Sequence, residues 1–383
     1  MKRIGFLGAY SIDNAGDQIL GYAVRQALRA RVPDAEHVIL APRLKGDFWN
    51  HACDVERGID AEIQVIPADA STAWARGLDA LIIGGGGVIR LEPDFRPFRL
   101  GEASDWSRDI PAAWNAVGAE AAPSYLVQHR PDYRAIKRCC DALAYVSVRN
   151  AMTARFVRRC GYAGHLSVVP DPSMLLSLPS SDVGKRSLDA ARVERDKFVI
   201  GLSVGNSIRD GRAAFFYKEL FAGLAALLQG RAAQVEVVLF PFGNIYGDAE
   251  LSRVALAALP GAKIVEAPLT ALDRWRLIGA LDFHVCTRYH AMLAAFAQGV
   301  PFLVLDEYLS DVGASSKIRE FVELSELEAF YLCPYLTVRP VPKLTNALAL
   351  AKDPDFSFRE RQSAFQSELS EHYDAMTSAL GLR

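Results

Sequence analysis

Leu78-Asp-Ala-Leu-Ile-Ile-Gly-Gly-Gly-Gly87 is a short apolar run that stops in four consecutive glycines. An apolar run this brief, closed by glycine, reads as a buried strand and its loop. The same unit recurs on either side of it. Residues 3–8 form a strand that runs into a polar loop, and residues 16–31 carry Ile19, Leu20, Ala23, Val24, Ala27 and Leu28 at helical spacing. Residues 37–41, 63–66, 112–117 and 144–148 read as further strands ending in polar residues or glycine. Near-continuous apolar strands separated by helices predict a parallel sheet covered on both faces.

A second series of the same kind follows residues 177–197, a polar, charged stretch without a core stripe at its start, read as the link. Strands are expected at 198–204, 235–240, 263–265, 281–285 and 302–305, and helices at 215–228, 249–259, 271–279 and 289–298. The expected organisation is an N-terminal α/β domain over 1–178, a second over 197–350, and a closing helix over 356–380. Parallel sheets place ligands beyond the carboxyl ends of their strands, and two halves suggest a crevice between them.

Composition narrows the class further. The chain has 383 residues, 51% hydrophobic and 23% charged, with 43 Lys+Arg against 45 Asp+Glu. That length and balance exclude wholesale disorder and a strongly basic nucleic-acid surface. No signal-peptide pattern opens the chain, and the longest apolar stretch, 291–305, is interrupted by Gln298, Gly299 and Pro301. A cytoplasmic protein without a transmembrane segment is expected. The six cysteines lack metal-site spacing and read as reduced, mostly buried thiols, so no metal is expected.

Five strand ends hold the candidate site residues. Asn14 and Asp17 open the first helix, where capping explains each of them singly, and an Asp there suits sugar hydroxyls better than a phosphate. Gly84, Gly85, Gly86 and Gly87 favour a ligand-facing loop over a plain turn, because four glycines lose much backbone entropy on folding. No Walker lysine follows them. Arg149 ends a strand and suits a carboxylate or phosphate, though a structural ion pair explains it equally well. Asp171 stands between two prolines. The strongest segment is Asp282-Phe-His-Val-Cys-Thr-Arg-Tyr-His290, which sets Arg288 and His290 at a helix N-terminus, an anion site with a titratable group beside it. His284, inside the strand, reads as a core residue. Lys317 opens another helix, and His129 lies in a loop of the first half. The aromatics Phe95, Phe98 and Trp106, within 90–108, are candidates to stack on sugar faces.

Taken in order, Asn14-x-Gly16-Asp17, Gly84 to Gly87, Ser147-Val-Arg149, Pro170-Asp171-Pro172 and Arg288-Tyr-His290 resemble the polysaccharide pyruvyl transferases, over roughly residues 4–325. Asn150 stands where that family commonly has Asp, and Cys286-Thr287 where it often has glycine. The resemblance implies two Rossmann-like domains facing a cleft, as in the glycosyltransferase-B arrangement. It implies transfer of the pyruvyl group of phosphoenolpyruvate onto two hydroxyls of a saccharide, forming a cyclic ketal and releasing phosphate, with no cofactor. It carries the family's basic motif onto Arg288 and His290 and its strand-end Arg onto Arg149, for donor binding, with His290 and Arg288 catalytic. From the residues themselves, Lys317 is a further donor-side cation or a solvated lysine, and Asp17 or Asp171 orients or deprotonates the acceptor hydroxyl, with Asp17 the catalytic choice. Asn14, the four glycines, Asp171 and His129, the last equally a surface histidine, are read as the acceptor side, where the saccharide could be lipid-linked and bring transient membrane association. The rival reading is a nucleotide-sugar glycosyltransferase of the same fold, with Glu266 or Asp306 as its ribose carboxylate.

Overall fold

The structure, a computed structural model, describes residues 1–8, 10, 14–42, 62–66, 75–86, 89, 109–119, 133–176, 178, 182–205, 211–231, 233–243, 247–307, 316–353 and 356–383. It divides into two compact units. The first comprises Met1–Asp13, Asp17–Leu175 and Ala364–Arg383, and the second Asn14–Gly16 and Leu176–Ser363.

The first unit is built on seven parallel strands: β1 (Arg3–Gly8), β2 (Glu36–Pro42), β3 (Glu62–Ile66), β4 (Ala80–Gly84), β5 (Ala112–Val117), β6 (Tyr145–Val148) and β7 (Ser167–Val168), in the order β3-β2-β1-β4-β5-β6-β7. The central strands are buried along their length, with Leu7, Leu81, Ile83 and Trp114 sealed from solvent, which is why they show no polar alternation. Its helices are α1 (Ala15–Arg29), α2 (Tyr133–Ala142) and α3 (Ala151–Arg159). Asn150 caps α3, accepting the Thr153 N–H at 2.8 Å. Cys139 and Cys140, adjacent on α2, are free and buried, and burial pushes the Cys139 thiol up to about 12.

The second unit repeats the plan. Its strands are β8 (Phe198–Ser203), β9 (Val235–Leu239), β10 (Lys263–Ile264), β11 (Phe283–Cys286), β12 (Phe302–Leu305) and β13 (Tyr331–Leu332), ordered β10-β9-β8-β11-β12-β13 and all parallel. Counted from its own first strand, this is the doubly-wound order of the first sheet. The helices are α4 (Asp182–Ala190), α5 (Ala214–Gly230), α6 (Asp248–Ala257), α7 (Ala271–Ile278), α8 (Tyr289–Ala297), α9 (Lys317–Leu324) and α10 (Pro340–Ala351). Every residue from Tyr289 to Phe296 is buried, so the apolar stretch after 290 is a core helix followed by β12. Among the described residues no helix is long and apolar enough to cross a membrane.

The closing helix falls where it was expected, and two details of the organisation were not read from the sequence. The link at 177–197 is not all loop: α4 forms inside it, burying Leu188 and packing Gly184 against the backbone of Arg276 on α7. Its apolar residues begin late in the segment, so the polar start hid the helix. The closing helix α11 (Arg359–Ala379) passes from one unit to the other. From Ala364 on it belongs to the first, where Tyr373 and His372 meet Asn115 of β5 at 3.2 and 2.8 Å.

Candidate functional site

In each sheet the chain winds outward both ways from its first strand, leaving a switch point between β1 and β4 and another between β8 and β11. Open α/β sheets bind ligands outside the carboxyl ends of the strands at such points. Asp17 and Gly84 to Gly86 fall at the first and Arg288 and His290 at the second, while Arg149 and Asp171 follow β6 and β7, nearer the sheet edge.

In the first unit, β4 ends at Gly84, in register with Gly8 of β1 and Asn115 of β5. Gly85 and Gly86 follow with φ of +87° and +82°, and a Cβ on Gly86 would collide with the Asp17 carboxylate. Glycine is required there by both conformation and approach. The Gly118 N–H donates to the Gly86 carbonyl at 2.9 Å and pins the loop, so Asp17, on the first turn of α1, lies against the glycine backbone. Arg149 follows β6, with its guanidinium packed on Gly118. It pairs with Asp171 at 3.5 Å, their side chains 3% and 0% exposed. The other Asp171 oxygen accepts from the Ser173 N–H at 3.0 Å and its hydroxyl at 2.7 Å, which starts the 3-10 turn Pro172–Leu175. The structure thus joins Arg149 to Asp171, and Asp17 to the glycine loop. Gly87, His129, Phe95, Phe98 and Trp106 lie outside the described residues.

In the second unit, β11 passes through Thr287 to Arg288, the N-cap of α8, so that His290 stands in the first helical turn and is 7% exposed. The Arg288 side chain does not cap its own helix. It turns to Asp248 at the start of α6 and grips the carboxylate side-on, Nε donating to Oδ2 at 3.3 Å and Nη2 to Oδ1. The Tyr289 ring links the others: His290 meets it edge-on, centroids 5.3 Å apart, and the Lys317 ammonium sits 5.4 Å from its centroid. Lys317 is placed by Ser316, which caps α9 by accepting the Arg319 N–H at 3.0 Å. Asn14 accepts the Gly16 N–H at 3.1 Å, and a Cβ on Gly16, a residue that groups with this unit, would strike the His290 ring. His290 and Lys317 therefore both meet the Tyr289 ring, and Arg288, the residue before it, carries its side chain to Asp248.

His284 is a core residue. It is fully buried, joined to the Ser203 hydroxyl at 3.1 Å and stacked on Phe240, and burial drives it down to about 3, so it is neutral. Asp306 is sealed and accepts the Ser316 and Tyr331 hydroxyls, while Glu266 stands exposed after β10. Burial holds the Asp248 carboxyl above the usual carboxylate range, and Arg288 offsets only part of that rise. Among the described residues no three His, Cys, Asp or Glu side chains are placed to hold a metal.

Sequence reasoning missed Asp248, Tyr289, Gly118 and the Thr287 and Glu307 side chains, each of which packs on Gly205. Only Tyr289 carried a signal, since it stands inside the Arg288–His290 motif. Asp248 lies 40 residues from its partner, in a stretch that reads as an ordinary acidic helix start.

Fold and strand-end residues together define an α/β protein of the glycosyltransferase-B-like class, with two Rossmann-like units. The polysaccharide pyruvyl transferase profile matches residues 14–307, and the chain belongs to that family of transferases. No curated protein matches it in sequence. Among solved structures it is similar to UDP-GlcNAc 2-epimerase from Neisseria meningitidis bound to UDP-GlcNAc, at 10% identity and TM-score 0.59, covering 100% of this chain and 99% of that one. The UDP-GlcNAc 2-epimerase of Methanocaldococcus jannaschii aligns at 11% identity and TM-score 0.58, with 93% and 94% covered. S. aureus MnaA, solved with UDP, aligns at 13% and 0.55, with 100% and 98% covered. At these identities the likeness concerns the fold.

Proposed function

We propose that the protein transfers the pyruvyl group of phosphoenolpyruvate onto two hydroxyls of a saccharide, forming a cyclic ketal and releasing phosphate. The observation that carries this reading is that His290 and Lys317 both meet the Tyr289 ring beside Arg288, at the N-terminus of α8, in a chain of the pyruvyl transferase family. Three cationic or protonatable groups and a helix N-terminus suit a small carboxylate-phosphate ester. Arg149 is the further candidate cation, in the first unit.

The chemistry follows from the donor. Protonation of carbon 3 makes carbon 2 electrophilic, one saccharide hydroxyl attacks it, the C–O bond to phosphate breaks, and the second hydroxyl closes the ketal. Of the two hydroxyl protons, one balances the proton gained by carbon 3 and the other leaves with phosphate. His290 serves as acid or phosphate-side donor, and Arg288 stabilises the charge on the departing phosphate. Asp17, held against the glycine loop, orients the acceptor hydroxyl or accepts its proton. Asp171 is less suited, because both its oxygens are engaged by Ser173 and Arg149. The rival nucleotide-sugar reading is weakened by Asp306, whose carboxylate is sealed between Ser316 and Tyr331.

The test is calorimetric titration of phosphoenolpyruvate into the wild type and Arg288→Ala. Binding to the wild type that disappears in the variant supports the donor assignment. Heat with UDP-sugars and none with phosphoenolpyruvate overturns it.

A further inference from the structure

We infer that Asp248 is a positioning residue for donor capture, fixing the plane in which the Arg288 guanidinium meets the anion. The inference rests on the donor assignment above and adds a residue that the motif does not contain.

The geometry is specific. The pair is side-on: Nε and Nη2 of Arg288 engage the two carboxylate oxygens, which sets the plane of the guanidinium. One partner is sealed and the other is not, with side chains 2% exposed for Asp248 and 18% for Arg288. Asp248 is itself fixed. The Gly243 N–H donates to Oδ2 at 3.1 Å, and the Ser252 hydroxyl donates to the Asp248 carbonyl at 2.9 Å, tying down the first turn of α6. Arg274, 3% exposed, adds a second positive charge within electrostatic reach. A buried carboxylate held by a backbone N–H and flanked by two arginines is a rigid anchor.

Such an anchor matters because an arginine recognises carboxylate or phosphate through a planar fork whose orientation must be right. As N-cap of α8, Arg288 has its backbone set by the helix that carries His290, while Asp248 sets its side chain from α6. The two helices therefore fix both ends of one residue. Asp248 does not touch the reacting atoms in this scheme and acts through Arg288.

The test is a double-mutant cycle over Asp248→Asn and Arg288→Ala, read as phosphoenolpyruvate affinity by calorimetry and as KM and kcat wherever an acceptor is turned over. Asp248→Asn is expected to raise Kd for phosphoenolpyruvate about tenfold and to lower kcat as well, since the misplaced Arg288 also loses its hold on the departing phosphate. Asp248→Glu should recover part of that loss. On the Arg288→Ala background Asp248→Asn should add nothing, since both changes disable one device. Arg288→Lys, which keeps the charge and loses the side-on fork, should behave like Asp248→Asn, and it carries the test if Asp248→Asn fails to fold. Independent, additive losses, or Arg288→Lys binding like the wild type, would overturn the positioning role while leaving the donor assignment standing. A wild type that binds no phosphoenolpyruvate would overturn both.

Discussion

Each unit carries an Arg–Asp pair beyond the carboxyl ends of its strands, and the two pairs differ. Arg149 and Asp171 meet at 3.5 Å with both side chains sealed, and Asp171 is also engaged by Ser173. Arg288 and Asp248 meet side-on with the guanidinium at the edge of solvent. A sealed pair is costly to break, since either partner alone is an uncompensated buried charge. A half-open pair costs less to lose and can share its cation with a ligand. The first pair is chiefly architecture, holding Gly118 and through it the Gly86 loop. In the proposed reading, the second is where the donor anion arrives.

The largest effect expected from that contrast lies in the second unit. His290→Ala should lower turnover by about 10²–10⁴-fold, the usual worth of a positioned acid or base, with a smaller stability loss than any break in the sealed pair. Steady-state rates and a thermal melt on the same protein decide this. Unchanged turnover would remove His290 from the mechanism and with it the reason for assigning chemistry to this unit.

Next in size is the sealed pair. Arg149→Ala should cost about 3–5 kcal/mol of stability by leaving Asp171 buried and unpaired. Arg288→Ala should cost clearly less, because water can reach the vacated side. Urea melts of both variants test the ranking, and equal losses would end the distinction between an architectural and an open pair. Gly86→Ala comes third, at about 1–3 kcal/mol, from a Cβ forced toward the Asp17 carboxylate at a φ of +82°. Measuring acceptor and donor binding on Gly86→Ala sharpens the comparison, since in this reading the glycine loop serves the acceptor and donor affinity should stay near that of the wild type.

How much of this was legible in the chain depends on the range of the interaction. Strands sealed on both faces advertise themselves as apolar runs, so β1, β4, β11 and β12 were readable, and the loops after them follow from where parallel sheets bind ligands. Arg288 and His290 were readable for the same reason: strand, turn and helix start are all local. Lys317 was readable only as a helix start, and its meeting with Tyr289 was not. The partners of Arg149 and Arg288 lie 22 and 40 residues away, and nothing local says which carboxylate an arginine will find. Asp171 was readable as the fixed centre of a Pro-Asp-Pro turn, and its pairing with the buried Arg149 was not. The helix inside the link escaped notice because its apolar residues start late. The docking of α11 onto Asn115 depends on a contact across 257 residues, which periodicity cannot reveal.

That last contact gives an effect absent at neutral pH, and it sharpens the comparison by separating the first unit's share of acid sensitivity from the second's. His372 is 4% exposed, and its Nε2 donates to Asn115 Oδ1 at 2.8 Å, which leaves Nδ1 to accept from the Tyr145 hydroxyl at 3.1 Å. Burial, helped by the charge of Arg31, lowers it to about 4. The unfolded histidine titrates near 6.5. Between about pH 6.5 and 4 the unfolded chain therefore takes up a proton that the folded chain refuses, and stability falls as pH falls. One such group contributes a slope of about 1.4 kcal/mol per pH unit over that window. Buried His284 adds a like slope from the second unit, reaching down to about pH 3. His372→Gln keeps an amide donor for Asn115 and cannot titrate, so urea melts at pH 7, 6 and 5 should show the acid slope reduced by one proton, with the His284 share intact. An unaltered slope would mean that the Asn115–His372–Tyr145 contact opens before it protonates, and that α11 holds to the first unit through Tyr373 and Arg31–Asp374 instead.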